Sequence, residues 1–332
     1  MILVTGAAGH IGNVLVRKLF EQGEKVKALI LPNEPIDSLK GLKIEKVYGN
    51  ILNYNDLVKA FQDVDVVYHL AAIISITKKG RKLMDRVNIE GTKNVIRACK
   101  KCGVKKLIYT SSIHAFEEPE SENDIINEKS SIDPERVIGD YARSKAQATL
   151  EVLKANSNEL STLVICPTGV LGPYDFRISE MGQVIIHYIQ GKLKAYVNGA
   201  YDFVDVRDVA QGLILAAEKG RAGEIYILSG EYISIYKMFK ILEELTGIQV
   251  PKFKMPMWLV KLTAPLSNLY YGIKKQKPLF TKYTAYTLTS NCNTASKKAQ
   301  EELGFRARPL KKSIKDSIKW FQENKKLTIE KK

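Results

Sequence analysis

The sequence predicts an α/β protein built on a doubly wound parallel sheet with helices on both faces, followed by a smaller, irregular and mainly helical C-terminal region. Two observations support this prediction. Short runs rich in β-branched residues alternate with segments that carry apolar residues at helical spacing. A glycine-rich turn, TGAAGHIG, joins the first such run to the first helical segment. Alternation of this kind is typical of parallel sheets covered on both faces.

Six runs predict strands. In chain order they are MILVTG (1–6), KVKALIL (25–31), IEKVYG (44–49), VDVVYHLAA (64–72), KKLIYTSS (105–112) and TLVICP (162–167). Four segments predict amphipathic helices. They are IGNVLVRKLFEQG (11–23), NDLVKAFQD (55–63), RKLMDRVNIEGTKNVIRACKKCG (81–103) and DYARSKAQATLEVLKA (140–155).

The pattern becomes less regular after residue 170, where proline and glycine cluster. We therefore expect residues 1–170 to form the sheet domain, with residues 201–228 returning to it. A second, substrate-binding region would comprise residues 171–200 and 229–325, including the apolar segment 255–271. Residues 326–332 would form a charged tail. A chain of 332 residues is long enough for this division.

The composition indicates a folded protein, with 45% hydrophobic residues, 26% charged residues and a net charge of +15. The N-terminus begins without a basic leader and no apolar run is long enough to span a bilayer, so we expect a cytoplasmic protein without stable membrane insertion. The lysines are spread along the chain, so we expect anionic small molecules rather than nucleic acid as partners.

Four cysteines are too few for a disulfide framework in a chain of this length. Cys99 and Cys102 form a CKKC motif at the end of a helical pattern, while Cys166 and Cys292 stand alone. A zinc site would need a second pair of ligands, and a redox motif would begin a helix rather than end one. We expect no metal site and a packing role for these thiols.

The glycine-rich turn places Gly6, Gly9 and Gly12 between the first strand and the first helix. Glycines here let the backbone approach a pyrophosphate, and the helix N-terminus then presents free amides to it. This position indicates a Rossmann-type dinucleotide site. The second strand ends at Leu31 and Pro32, with no charged selector, and Glu34 lies further along, so NAD and NADP both remain open.

The segment GDYARSK places Tyr141 and Lys145 four residues apart on a predicted helix. Their side chains would share one helix face and could meet a common ligand. Many surface helices carry such a pair, so this spacing alone leaves a catalytic pair and a solvated helix face as alternatives.

Several ordered motifs across nearly the whole chain resemble the extended short-chain dehydrogenase/reductases of the NAD-dependent epimerase/dehydratase type. The similarity is strongest to the branch with dihydroflavonol reductases, 3β-hydroxysteroid dehydrogenases and related bacterial reductases. The motifs are TGAAGHIG, GNI (49–51), HLAA (69–72), VNIEGT around Asn88, YTSS ending at Ser112, YARSK, PTGVLGP and DFVDVRDVA.

The resemblance implies a catalytic role for three residues. Tyr141 would exchange a proton with the substrate oxygen, and Ser112, rather than Ser111, would hydrogen-bond that oxygen. Lys145 would hold the cofactor ribose and, together with the positive nicotinamide, lower the pKa of Tyr141 towards neutrality.

The resemblance also implies a set of cofactor-binding residues, with Asn88 as a structural hydrogen-bonder within its helix. Besides Tyr141 and Lys145, the set comprises Gly6, Gly9, His10, Ile11, Gly12, Leu31, Asn50, Ile51, Leu70, Ala71, Ala72, Pro167, Thr168, Gly169 and Val170. Dimerisation would use a four-helix interface built from residues 81–102 and 139–156.

Residues near Tyr141 and Lys145 distinguish this chain from dehydratases and epimerases of the same superfamily. A dehydratase would carry an Asp-Glu pair after the catalytic serine, where this chain has Ile113 and His114. A sugar-nucleotide epimerase would carry an arginine where this chain has Tyr201, although Arg177 could replace it. We therefore expect an NAD(P)-dependent oxidoreductase for a secondary alcohol and a ketone or aldehyde. The alternatives are an epimerase and a non-enzymatic dinucleotide-binding regulator or assembly factor. The expected substrate residues are Ser112, His114, Tyr174 and Tyr201, with Phe176 nearby.

Overall fold

The protein is described from a computed structural model, which covers residues 1–74, 80–119, 124–256, 259 and 293–327. Most of the apolar segment 255–271, Cys292 and nearly all of the charged tail lie outside these described residues. Within the described ranges, no helix is long and apolar enough to cross a membrane.

The described strands are β1 (Ile2–Thr5), β2 (Val26–Ile30), β3 (Glu45–Tyr48), β4 (Val66–His69), β5 (Lys106–Thr110), β6 (Ser161–Pro167), β7 (Gly169–Leu171), β8 (Ala195–Val197), β9 (Ala200–Asp205), β10 (Ile225–Leu228), β11 (Glu231–Ser234) and β12 (Phe253–Met255). The described α-helices are α1 (His10–Glu21), α2 (Tyr54–Ala60), α3 (Arg81–Asp85), α4 (Thr92–Cys102), α5 (Asp140–Lys154), α6 (Glu180–Ile189), α7 (Val206–Lys219), α8 (Ile235–Thr246) and α9 (Leu310–Glu323). A π-helical segment, Arg86–Gly91, connects α3 to α4.

Seven parallel strands form the main sheet in the order β3-β2-β1-β4-β5-β6-β10. Ile2 of β1 is paired with Val26 on one side and with Val66 on the other, so the strand order reverses direction at β1. In sheets of this kind the ligand binds beyond the carboxyl ends of the strands at the point of reversal. The predicted doubly wound fold is confirmed. Five of the six predicted runs contain one of these strands, and the sixth covers all of β6 except Ser161.

Two hydrophobic cores cover the two faces of the sheet. On one face, α1 and α7 bury residues such as Leu15 and Leu213 against the strands. On the other face, α2, α4 and α5 bury Leu57, Val95 and Val152. Cys99 lies in this second core, where burial raises the pKa of its thiol and thereby disfavours the reactive thiolate.

The second region adds two small sheets. Strands β11, β9 and β7 form one, and β12 and β8 form the other. Within the predicted returning segment 201–228, α7 packs beside α1 in the first core and β10 extends the main sheet beside β6, whereas β9 belongs to a small sheet. Strand β7 directly follows β6 and is paired with β9.

Candidate active site

The glycine-rich turn packs tightly against the end of β4. Gly6 has a φ of +66°, and a Cβ there would lie 2.8 Å from the backbone nitrogen of Ala71. A Cβ on Gly12 would lie 2.1 Å from the carbonyl oxygen of Gly6, which also accepts a hydrogen bond from the Gly9 amide at 3.0 Å. No side chain fits at positions 6 and 12. The backbone of the turn is therefore not covered by side chains at the carboxyl end of β1.

The N-terminus of α1 follows this turn and suits an anion. The helix begins at His10, its cap residue Gly9 has no side chain, and its first turn contains no acidic residue. Its first amides and the positive end of its dipole therefore favour a phosphate. Nε2–H of His10 donates to the carbonyl of Pro173 at 2.9 Å, and Ile11 packs partly buried against the core. These residues fit the pyrophosphate of a dinucleotide.

A buried polar network lies at the carboxyl ends of β1 and β4. The amides of Leu70 and Ala71 both donate to Oγ1 of Thr5 at 3.2 Å. The Thr5 hydroxyl therefore donates to Nδ1 of His69, 2.7 Å away, and Nε2–H of His69 donates to Oγ1 of Thr92 at 3.0 Å. Burial lowers the pKa of His69 to about 3, so the ring is neutral. Sequence reasoning assigned no role to His69, although it stands in the HLAA motif.

Asn88 connects the segment that follows β4 to helix α5. Its side-chain amide pairs with both backbone groups of Ile73, at 2.8 and 3.0 Å, and donates to Oγ of Ser144 at 3.0 Å. Ser144 in turn donates to the carbonyl of Tyr141 at 2.8 Å. Asn88 thus makes structural hydrogen bonds as predicted, but its partners lie outside its own helix, because its amide joins the segment around Ala72 to α5.

The predicted adenosine-binding residues lie beyond β2 and β3. Leu31 is 47% exposed at the end of β2. Oδ1 of Asn50 accepts from the Leu52 amide at 2.9 Å, and the buried side chain of Ile51 lies next to Gly91. Glu34 also reaches this place, because its carboxylate folds back to the Leu31 amide at 3.0 Å. Sequence reasoning set Glu34 aside for its distance along the chain.

The predicted catalytic residues meet between β5 and α5. Ser112 follows β5, is 8% exposed, and its Oγ accepts from the His114 amide at 3.3 Å. Tyr141 lies in the first turn of α5, and its hydroxyl lies close enough to Ser112 for that hydroxyl to influence its pKa. Oγ of Ser111 instead lies 2.6 Å from Oγ1 of Thr149 in the body of α5. The geometry therefore favours Ser112 over Ser111 as the hydroxyl that meets a substrate beside Tyr141.

Lys145 lies one turn after Tyr141 and is almost fully buried. Its Nζ donates to the carbonyl of Thr110 at 2.6 Å and lies 4.3 Å from the centre of the Tyr109 ring. Burial lowers the pKa of Lys145 to about 7. The predicted lowering of the Tyr141 pKa by Lys145 is not found in the chain alone. Burial raises the pKa of Tyr141 to about 12, against the opposing effect of the nearby Ser112 hydroxyl.

His114 and Tyr201 border the catalytic hydroxyls. Oη of Tyr201 lies 2.8 Å from Nε2 of His114, and the His114 ring meets the Tyr141 ring edge-on with centroids 6.4 Å apart. Burial lowers the pKa of His114 to about 4, so this ring is neutral as well. A Cβ on Gly169 would lie 2.8 Å from the Tyr201 ring, so the absence of a side chain at Gly169 makes room for that ring.

The remaining predicted residues occupy two different places. Pro167 ends β6, the Thr168 amide donates to the carbonyl of Leu228 at 3.2 Å, and Val170 continues into β7. These three lie at the carboxyl edge of the sheet, as expected for the nicotinamide end. Tyr174 instead packs against the Arg17 guanidinium, 5.2 Å from its ring centre, and against Trp320. Its place in a substrate site stays a prediction.

A narrow crevice of about 10 Å³, lined mainly by apolar side chains, lies beside the predicted catalytic residues. Its lining residues are Ile113, His114, Phe116, Glu118, Ile126, Ile138 and Ala142. Ala142 directly follows Tyr141, and Ile138 at the rim is 56% exposed. The crevice offers a hydrophobic surface next to the group that would exchange the proton.

Comparison with known proteins gives the same family as the motifs. The sequence profile described as the 3-beta hydroxysteroid dehydrogenase/isomerase family matches residues 3–231. Sterol demethylase protein B from Methylococcus capsulatus is 33% identical over 326 residues, which cover 97% of this chain and 98% of that protein.

Solved structures share the fold over the full length. The crystal structure of gox2253 superposes with a TM-score of 0.86 at 30% identity and covers 99% of each chain. The structure of MoeE5 in complex with UDP-glucuronic acid and NAD superposes with a TM-score of 0.76 at 22% identity, covering 97% of this chain and 99% of that one. The predicted family resemblance is confirmed.

Proposed function

Because the chain belongs to the 3-beta hydroxysteroid dehydrogenase/isomerase family within the extended short-chain dehydrogenase/reductases, whose members are NAD(P)-dependent oxidoreductases or epimerases, we propose that it interconverts a secondary alcohol and a ketone or aldehyde. The observation that carries this proposal is the proximity of the Ser112 and Tyr141 hydroxyls, beside a crevice lined mainly by apolar side chains.

Ser112, Tyr141 and Lys145 would each have a separate role in this reaction. NAD or NADP, when bound, supplies or accepts the hydride. Oγ of Ser112 would hold the substrate oxygen, and Oη of Tyr141 would exchange a proton with it. A pKa of about 12 keeps Tyr141 protonated at neutral pH, which suits proton donation to a ketone oxygen during reduction. Lys145 would donate to the cofactor ribose.

The surroundings of this pair favour a substrate of low polarity. The crevice beside Tyr141 is lined mainly by apolar side chains, and both His114 and His69 are neutral. Tyr201 bonds to His114 at the place where an arginine would bind a sugar diphosphate. The family description names a hydroxysteroid and one relative is called a sterol demethylase protein, which supports the same class. A sugar-nucleotide epimerase is therefore the weaker candidate.

The proposal is tested by titrating the purified protein with NADH and NADPH while following nicotinamide fluorescence. Turnover is then measured with apolar cyclic ketones and, in parallel, with UDP-sugars. We expect tight binding of one reduced cofactor and oxidation of that cofactor only with the ketones. Cofactor that survives purification together with turnover of UDP-sugars would support the epimerase, and binding of neither cofactor would support the non-enzymatic alternative.

We also propose that two copies associate through the helices of residues 81–102 and 139–156. Leu83 on α3 and Leu150 on α5 are 50% and 40% exposed on these helices, and burying them would be favourable. Light scattering of a Leu83→Lys, Leu150→Lys variant should give half the wild-type mass. An unchanged mass would contradict this interface.

A further inference from the structure

The chain reverses immediately after β2 and returns a carboxylate to the end of that strand. Pro32 and Asn33 occupy the two central positions of a tight turn, in which the Glu34 amide donates to the carbonyl of Leu31 at 3.0 Å. Asn33 has a φ of +66°, which with the preceding proline is typical of a type II turn. Oε2 of Glu34 then accepts from the Leu31 amide at 3.0 Å. The carboxylate therefore lies against the backbone of Leu31, at the end of β2.

Arg177 reaches the same carboxylate from the second region. Its Nη2 donates to Oε1 of Glu34 at 2.5 Å. The Glu34 side chain is 16% exposed and that of Arg177 is 49% exposed. The carboxylate is therefore the more buried partner of this ion pair, and the guanidinium is partly solvent-exposed. An acid held on both oxygens has a fixed orientation, which a lone surface glutamate lacks.

The loop that carries Arg177 crosses the start of α1. The carbonyls of Pro173 and Tyr174 accept from His10, at 2.9 Å, and from Asn13, at 3.2 Å. Further along the loop, the amide of Ser179 donates to the buried carboxylate of Asp175 at 2.7 Å. The loop thus spans from the expected pyrophosphate site to the end of β2, where the adenosine ribose of a dinucleotide lies in folds of this kind.

We propose that Glu34, held by Arg177, selects NAD(H) against NADP(H). This inference rests on the proposed function, because it assigns one end of the same cofactor cleft. A carboxylate at the end of β2 accepts hydrogen bonds from the ribose hydroxyls and repels a 2′-phosphate. Arg177 is a positioning residue, because its positive charge is occupied by Glu34 and is not offered to a phosphate.

The test measures the dissociation constants of NADH and NADPH by nicotinamide fluorescence for wild type, Glu34→Gln and the control Glu24→Gln. Glu24 is exposed at the opposite end of β2. We expect wild type and the control to bind NADH at least about tenfold more tightly than NADPH, the range of one hydrogen bond to a charged group. In Glu34→Gln, NADH binding should weaken by about tenfold and NADPH binding should improve.

Two further variants distinguish the effect of the Glu34 charge on cofactor binding from the effect of the Arg177 charge. Arg177→Gln should weaken NADH binding by only about threefold and keep the preference for NADH, because the repelling carboxylate remains. The double variant should lose only part of the gain in NADPH binding seen in Glu34→Gln, because the freed Arg177 charge is absent but the repelling carboxylate is absent as well.

The outcomes are distinguishable. Wild type that prefers NADPH, or a Glu34→Gln variant with an unchanged ratio of the two affinities, would overturn this inference and leave the proposed oxidoreductase in place. Wild type that binds neither cofactor would overturn both.

Discussion

Lys145 donates a hydrogen bond from Nζ to the carbonyl oxygen of Thr110, 2.6 Å away. This bond ties the first turns of α5 to the end of β5, two residues before Ser112. Since Lys145 is only 2% exposed, its ammonium lies in a poorly solvated place, and burial lowers its pKa to about 7. The arrangement keeps a cation beside the expected ribose position at a cost in folding free energy.

That cost should be visible as a pH dependence of stability. An unfolded lysine has a pKa of about 10.4, so between pH 7 and 10 the unfolded chain binds a proton that the folded chain has released. The free energy of unfolding should therefore rise with pH in this range, by up to about 1.4 kcal/mol per pH unit from this group. Lys145→Met should lack this contribution in urea titrations, whereas the control Lys43→Met, at an exposed position, should retain it. Parallel curves for Lys145→Met and wild type would contradict the prediction.

Tyr141→Phe should lower kcat by a factor of about 10² to 10⁴, the usual contribution of a positioned acid or base. Its affinity for the reduced cofactor should change little, because the phenol is assigned to the substrate oxygen. Tyr48→Phe is the matched control, since Tyr48 is 58% exposed on β3. Loss of cofactor binding together with kcat in Tyr141→Phe would show that the hydroxyl supports the cleft rather than the proton transfer.

Local sequence signals predicted much of the fold and part of the site. The glycine turn and the Tyr141–Lys145 spacing each lie within a few residues, and both depend on backbone geometry that such short segments determine. The strands were readable for the same reason, because each is a short apolar run between helical patterns.

Interactions between distant residues were not predictable in this way. Thr5 and His69 are 64 residues apart, and the network they form depends on the pairing of β1 with β4. The return of the Glu34 carboxylate depends on the positive φ of Asn33 and on an arginine 143 residues away. The signal for that turn, Pro-Asn after a strand, was present in the sequence. The pKa of Tyr141 was predicted to fall because burial of the phenol was not visible from the sequence.

Because buried His69 stays neutral, the free energy of unfolding should depend on pH under acidic conditions. An unfolded histidine has a pKa of about 6.5, whereas burial lowers the pKa of His69 to about 3. As pH falls from 6.5, the unfolded chain takes up a proton that the folded chain does not, so the free energy of unfolding should decrease. His69→Gln should reduce this acid dependence. Thr92→Val should cost about 1 to 3 kcal/mol at pH 7 but keep the acid dependence, because His69 remains buried. Equal acid dependence in His69→Gln and Thr92→Val would contradict this assignment.

Gly6 and Gly23 allow a test of whether the glycine-rich turn shapes the cofactor site, because both residues have similar left-handed backbone. Both have positive φ, +66° and +83°, but a Cβ on Gly23 meets nothing within 4 Å, while one on Gly6 would lie 2.8 Å from the Ala71 backbone. Gly23→Ala should therefore cost about 1 kcal/mol of unfolding free energy, the usual penalty for left-handed backbone, and leave NADH affinity unchanged. Gly6→Ala should cost more and weaken NADH binding at least about tenfold, or about 1.4 kcal/mol, because β4 must move away from the turn that would hold the pyrophosphate. Denaturant titration and nicotinamide fluorescence measure the two effects separately. Equal losses of stability with intact NADH binding in both variants would mean that the close contact between Gly6 and Ala71 does not shape the cofactor cleft.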